Sequence, residues 1–133
     1  MKRHLTTFLA VALLGLVSHA WAQKAQPAVL SNAQLKTLLA NGLNVKITGA
    51  DRPNTASRSA TAVYQKDGTV RLNEGPATPA RIGSWRIDGN KFCTKYSGGL
   101  GSGCFNVQKT GDTTYKLIPL DGLLEGTWEV QKK

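Results

Sequence analysis

The sequence predicts a mainly β protein in which one short N-terminal helix precedes an antiparallel meander of about eight strands. Three observations lead to this fold class. Apolar and polar residues alternate over most of the chain after Gly42, Gly-containing turns separate the alternating segments, and one segment before Gly42 has helical spacing. Short antiparallel strands bury one face in a small barrel or in a two-sheet sandwich, and we expect the barrel.

Residues 1–22 have the order of a secretory signal peptide. The basic start Met1-Lys2-Arg3 is followed by an apolar stretch from Leu5 to Val17 and by Ala20-Trp21-Ala22. The apolar stretch is too short to cross a bilayer as a helix, and no later stretch is longer. We therefore expect export, cleavage after Ala22, and a periplasmic or secreted protein without a transmembrane segment.

The remaining chain is expected to form one domain, because its length supports a single core. Residues 23–29 are polar, contain Pro27 and lack periodicity, which predicts a flexible leader. Residues 30–133 then form the β domain.

A helix is predicted over residues 32–40. Ser31 and Gln34 have the spacing of a capping box, and Asn41-Gly42 suits the end of a helix. The apolar residues at helical spacing are Leu35, Leu38 and Leu39. They give the helix one apolar face for burial.

Cys93 and Cys104, the only cysteines, are predicted to form a disulfide. They flank the Gly- and Ser-rich segment 97–103, which is typical of a hairpin loop, and an exported chain meets oxidising conditions. Both alternate with the aromatic residues of their strands, so the bond is expected on the outer face. Closing a loop of this length corresponds to about 3 kcal/mol in the chain-entropy estimate.

Two segments share the form G-[ST]-W-x-[IV]: Gly83–Ile87 and Gly126–Val130. We expect Trp85 and Trp128 to fill the core, with ligand stacking as the alternative. The other residues expected to point inward in the second half of the chain are Phe92, Thr94, Tyr96, Phe105, Val107, Tyr115, Leu117, Leu124 and Val130.

The segment Gly83–Gly89, the two cysteines and the final Gly126-Thr127-Trp128 together resemble a poorly characterised family of small exported proteins of Gram-negative bacteria, built as one β domain. The likeness covers Gly83 to Val130. It implies a periplasmic protein of mostly β structure and transfers no catalytic residue. The Gly-x-Trp element is also similar to that of lipocalin-type barrels, which implies a lipocalin-like barrel.

The chain is strongly basic. Its formal net charge is +9, and removal of Lys2 and Arg3 lowers it to +7. This balance favours an envelope protein or an anionic glycan or lipid surface as the partner. Nucleic acid is a poor candidate, since the basic residues are scattered and the chain is exported. The candidate binding residues, on loops and outward strand positions, are Arg52, Arg58, Arg71, Arg86, Lys91 and Lys95.

The sequence contains no recognisable catalytic, metal or cofactor motif. Both histidines, His4 and His19, lie in the signal segment, and no Ser-x-x-Lys spacing supplies another base for a nucleophile. We therefore expect an exported noncatalytic binding module of the bacterial envelope, without cofactor or metal. Two alternatives stay open: an exported inhibitor of a protease- or lysozyme-type hydrolase, and a barrel that binds a small apolar ligand.

Overall fold

The computed structural model describes residues 27–49, 58–97, 102–120 and 125–131. Its elements are α1 (Asn32–Leu39), β1 (Leu43–Gly49), β2 (Arg58–Tyr64), β3 (Thr69–Asn73), β4 (Arg81–Asp88), β5 (Lys91–Tyr96), β6 (Gly103–Lys109), β7 (Thr114–Pro119) and β8 (Gly126–Val130). Each strand pairs antiparallel with the next, and β8 pairs with β1 to close a barrel. The predicted β barrel with an N-terminal helix is confirmed, and the sandwich alternative is wrong.

The predicted signal segment, residues 1–22, lies outside the described residues. Within the part of the chain that the structure describes, no helix has the length and apolar character needed to cross a membrane.

The capping box predicted for α1 is present. The Ser31 hydroxyl accepts a hydrogen bond from Gln34 N at 3.3 Å, and Gln34 Oε1 accepts one from Ser31 N at 2.8 Å. The helix ends at Leu39, one residue before the predicted end. Leu35 and Leu39 are 0% and 1% exposed and belong to the core, so the helix packs its apolar face on the barrel.

The two ends of the barrel differ. The turns after β2, β4 and β6 lie at one end, here called the helix end, because Asn32 of α1 binds the β4–β5 turn there. The Asn32 side-chain amide donates to the Gly89 carbonyl, and Asn32 N donates to Asn90 Oδ1 at 2.8 Å. The connections after β1, β3, β5 and β7 lie at the opposite end, here called the loop end. Parts of three of these connections lie outside the described residues: 50–57, 98–101 and 121–124.

The chain joins the sheet before the helix begins. Val29 forms an antiparallel bridge with Gln108 of β6, and the Gln108 side chain donates to the Pro27 carbonyl. Residues 27–29 thus already contact the barrel, although the sequence assigns them to the leader.

The barrel interior contains the predicted inward side chains. Those that are buried are Phe92, Thr94, Tyr96, Phe105, Val107, Tyr115, Leu117 and Trp128. Val130 is partly buried against them, and Leu124 lies outside the described residues. The rings of Phe92 and Trp128 are 4.8 Å apart between centroids, and Tyr64 lies 5.2 Å from each. With Trp85, stacked 6.1 Å from Phe92, they form the aromatic cluster of the interior.

The disulfide between Cys93 and Cys104 is present. The two residues are direct partners in the β5–β6 ladder, with their Cα atoms 4.0 Å apart. Cys93 alternates with the exposed Lys91 and Lys95, which places the bond on the outer side of the sheet. Cys93 is nevertheless only 2% exposed, whereas Cys104 is partly exposed.

Candidate binding face

Four of the six basic residues selected from the sequence share one outer face of the barrel. Arg71 lies on β3, Arg86 on β4, and Lys91 and Lys95 on β5, which are three neighbouring strands. All four are exposed, because alternation along each strand turns them away from the core. We define these four residues, together with Ile82 and Ser84 of β4, as the basic face.

The register brings the cations of β4 and β5 close together. Arg86 is the direct partner of Cys93, so Lys91 and Lys95 are its diagonal neighbours on β5. Diagonal neighbours on one face of an antiparallel pair lie about 7–8 Å apart between backbones, within reach of long side chains. Lys95 is also the direct partner of Ser84, which leaves an uncharged, small residue beside it.

Ile82 gives the basic face an apolar residue at its loop end, beside Arg71 and diagonal to Lys95. It is 55% exposed and is the direct partner of Arg71 on β3. Its carbonyl accepts hydrogen bonds from the backbone N and the hydroxyl of Ser97, both at 3.5 Å, which hold the chain after β5 against β4. The backbone is therefore engaged while the isoleucine side chain remains in solvent.

Carboxylates contribute little to this face. Asp88 is the only one at the described outward positions of β3, β4 and β5. Its Oδ2 lies 3.7 Å from Arg86 Nη2, with the two side chains 63% and 67% exposed, and such a solvated pair interacts weakly. Asp67, in the turn before β3, accepts hydrogen bonds from the Thr69 hydroxyl and backbone N, which lower the pKa of its carboxyl group.

The wall formed by β7, β8 and β1 has a different charge pattern. Lys116 Nζ lies 2.8 Å from Glu125 Oε2, and Lys46 is the direct partner of Glu129 across the β1–β8 ladder. Each lysine there faces a carboxylate. The four cations of the basic face share one neighbouring carboxylate, Asp88, which is the direct partner of Lys91 and lies near Arg86. Among the outward strand positions that the structure describes, the excess of positive charge thus lies on β3–β5.

The other two basic candidates lie elsewhere. Arg58, expected on a loop or at an outward strand position, is the first residue of β2, at the loop end. It alternates with Ala60 and Ala62, so its strand position is not on the basic face. Arg52 lies outside the described residues.

Sequence analysis missed a polar group at the loop end. Arg81 Nη2 lies 2.8 Å from Glu74 Oε1, and the guanidinium carbon lies 5.3 Å from the centroid of the Tyr96 ring. The alternation along β4 could have revealed it. Arg81 is two residues from Gly83 and four from Trp85, so all three lie on the inward side of the strand. Arg81 holds an ion pair and covers the Tyr96 ring, which is a structural role.

Two tyrosine hydroxyls lie inside the barrel. Burial raises the pKa of Tyr64 well above its ordinary value, and the charge of Tyr96 and a hydrogen bond with it act in the same direction. Burial also raises the pKa of Tyr96. Both hydroxyls therefore stay protonated near neutral pH, and neither is activated as a nucleophile.

An open groove of about 370 Å³ lies at the helix end between α1 and the β6–β7 hairpin. The residues that line it are Leu30, Ala33, Gln34, Thr37, Leu38, Lys109 and Tyr115. Lys109 is the charged residue among them, so the groove presents apolar surface beside one cation and no pair of acid and base groups.

Among the described residues, no group of three or more His, Cys, Asp or Glu side chains could hold a metal ion. Comparison of the chain with family models, with curated proteins and with solved structures finds no match.

Proposed function

We propose that the protein is an exported, noncatalytic binding module of the bacterial cell envelope that engages an anionic partner through the basic face. The observation that carries this proposal is the unequal distribution of charge. Arg71, Arg86, Lys91 and Lys95 share one wall with a single carboxylate, whereas lysines on the β7–β8–β1 wall face carboxylates. An excess of one sign on one surface attracts and orients a partner of the opposite sign.

The packing of the interior favours binding on the outside. The ring centroids of Tyr64, Trp85 and Trp128 lie 5.2, 6.1 and 4.8 Å from that of Phe92 in the barrel. An eight-stranded barrel has an interior about as wide as its own side chains fill. A small apolar ligand would have to displace this aromatic cluster, whereas an anionic partner meets exposed cations without rearrangement.

The experiment compares two variants of equal charge. Arg71→Gln, Arg86→Gln and Lys95→Gln together remove three cations from the basic face. The control variant carries Lys36→Gln, Lys46→Gln and Lys109→Gln, which removes three exposed cations elsewhere. Binding to washed Gram-negative envelope fragments is measured by cosedimentation at roughly 50 and 300 mM salt, since screening of exposed charges grows over this range.

We expect the wild-type protein and the control to bind at low salt and to lose affinity at high salt. The basic-face variant should bind at least tenfold more weakly at low salt, while its thermal unfolding matches that of the control. An equal loss of affinity in the two variants would show that binding depends only on the net charge of the protein. Binding that is insensitive to salt would instead support the apolar-ligand or inhibitor alternatives.

Export is tested separately. The order of residues 1–22 predicts cleavage after Ala22. Mass spectrometry of protein recovered from the envelope fraction should find Gln23 as the first residue. An intact Met1 on that protein would contradict export by this route.

A further inference from the structure

We propose that the anionic partner of the basic face is a lipid surface, with the cations contacting head-group phosphates and Ile82 entering the head-group layer. This inference rests on the proposed function and specifies the partner. Its basis is the combination of an exposed isoleucine with flanking cations on one wall of the barrel. A protein that lies on a membrane needs both components, since charge attracts it and apolar contact retains it.

The register gives the combination its geometry. Ile82 is the direct partner of Arg71 on β3, and Ser84, two residues further along β4, is the direct partner of Lys95. Both strands that pair with β4 thus carry a cation near Ile82: Arg71 on β3 and Lys95 on β5. Ile82 is 55% exposed, more than Val29 and Leu120, the other large apolar side chains exposed among the described residues, at 43% each.

The shape of the surface favours lipid over a folded acidic protein. The basic face is the outer wall of a closed barrel and is therefore convex, and its cations are exposed side chains on three adjacent strands. A protein partner would need a concave acidic surface matched to fixed positions. A fluid leaflet offers laterally mobile phosphates that adjust to the cations, and it deforms around a single apolar side chain.

The expected strength follows from the charges. One Lys or Arg near an anionic bilayer strengthens binding about fivefold, the equivalent of about 1 kcal/mol. Four cations and one carboxylate leave a net charge of about three on the basic face, which corresponds to roughly a 100-fold preference for anionic over neutral lipid. The preference should diminish with salt.

The experiment uses the purified, oxidised protein and two kinds of vesicle. One contains phosphatidylcholine alone, and the other contains phosphatidylcholine mixed with phosphatidylglycerol. Cosedimentation gives the affinity for each, and binding to soluble polyphosphate is measured in parallel to distinguish a lipid surface from phosphate groups alone. The variants are Ile82→Thr, which keeps a β-branched side chain, and Leu120→Thr, a matched control at another exposed apolar position.

We expect strong, salt-sensitive binding to the anionic vesicles and weak binding to phosphatidylcholine. Ile82→Thr should weaken vesicle binding at least threefold without changing the affinity for polyphosphate, and Leu120→Thr should change neither. Replacing Arg71, Arg86 and Lys95 by Gln should reduce binding to both probes.

Three results would overturn the lipid assignment. They are an unchanged vesicle affinity of Ile82→Thr, equal binding to the two kinds of vesicle, and absence of vesicle binding while envelope fragments still bind through the basic face. The first result would overturn the insertion of Ile82, and the second would overturn contact of the cations with head-group phosphates. The third would make the partner a soluble polyanion or an acidic protein while the proposed function stands. If the basic-face variant binds envelope fragments as well as the matched control does, the proposed function fails independently of the vesicles.

Discussion

The barrel consists of two four-strand halves, β1–β4 and β5–β8, and each half ends in a strand with the form G-[ST]-W-x-[IV]. Both tryptophans point inward, yet Trp128 is 0% exposed and Trp85 is only partly buried. Trp85 Nε1 donates to the Gln65 carbonyl at 2.8 Å, whereas Trp128 Nε1 is buried beside the Tyr64 hydroxyl, whose pKa it lowers. One local pattern therefore produces two environments.

The strand neighbours explain the difference in burial. Trp128 lies between Ile47 on β1 and Tyr115 on β7, two large side chains on the same face. Trp85 is the partner of the smaller Thr94 on β5, and its backbone N donates to the carbonyl of Gly68, a turn residue without a side chain. Fewer atoms on the adjacent strands cover the Trp85 ring.

The halves also differ in their first ladder. The β1–β2 register runs from Leu43–Tyr64 to Gly49–Arg58, whereas the β5–β6 register runs only from Phe92–Phe105 to Thr94–Gly103. Beyond this short ladder, Tyr96 N donates to the Ser102 hydroxyl at 2.9 Å instead of to a strand carbonyl. The disulfide thus joins two strands that share few backbone hydrogen bonds.

The largest expected effect comes from Trp128. Trp128→Ala should lower the free energy of unfolding by about 3–5 kcal/mol, because it removes a fully buried ring and leaves a cavity. Trp85→Ala should cost about half as much, since less apolar area is lost from the core. Urea unfolding measures both. If an alanine variant does not fold, Trp128→Phe and Trp85→Phe provide the same comparison. Equal losses of unfolding free energy at the two positions would contradict the prediction.

Removal of the disulfide tests the short ladder. Cys93→Ser combined with Cys104→Ser should lower the free energy of unfolding by about 2–4 kcal/mol without changing the strand content. Thiol titration of the denatured, nonreduced wild-type protein should find no free thiol. Two reactive thiols, or a double variant as stable as the wild type, would show that the β5–β6 ladder needs no covalent support.

The glycines of the two repeated elements should respond differently to alanine. A Cβ at Gly83 would overlap the Lys95 carbonyl oxygen and lie 2.8 Å from Tyr96 Cδ1. At Gly126 the nearest atom would be Leu117 Cδ1 at an ordinary 3.5 Å. Gly83→Ala should therefore destabilise by about 1–3 kcal/mol in urea unfolding, and Gly126→Ala by less than about 1 kcal/mol. The reverse order would contradict the overlap with the Lys95 carbonyl at Gly83.

The buried tyrosines are expected to change stability least near neutral pH, and their effect should emerge at alkaline pH. The pKa of Tyr64 is raised by burial and by Tyr96. Above a pH of about 10 the unfolded chain loses tyrosine protons while folded Tyr64 keeps its proton, so stability falls as pH rises. Tyr64→Phe should reduce this loss between about pH 9 and 11, more than Tyr96→Phe does, because the pKa of Tyr96 is raised less. Urea unfolding across this range gives the slopes, and identical slopes for wild type and Tyr64→Phe would contradict the prediction.

Local sequence determined the elements of this fold. The capping box of Ser31 and Gln34 predicted the start of α1, because it depends on residues only three positions apart. Alternation with period two predicted the strands and their inward residues, since successive side chains of a strand point to opposite faces. The pairing of Cys93 with Cys104 followed from their number and from the hairpin between them.

Tertiary structure determined which residues are neighbours on adjacent strands. Closure of the barrel depends on hydrogen bonds between β1 and β8, which are distant in the sequence and leave no local periodic signal. For the same reason the sequence could identify Arg71, Arg86 and Lys95 as outward cations without showing that they share a wall with Ile82. It also left Trp85 and Trp128 equivalent, because burial depends on the side chains of neighbouring strands, and the register alone determines those neighbours.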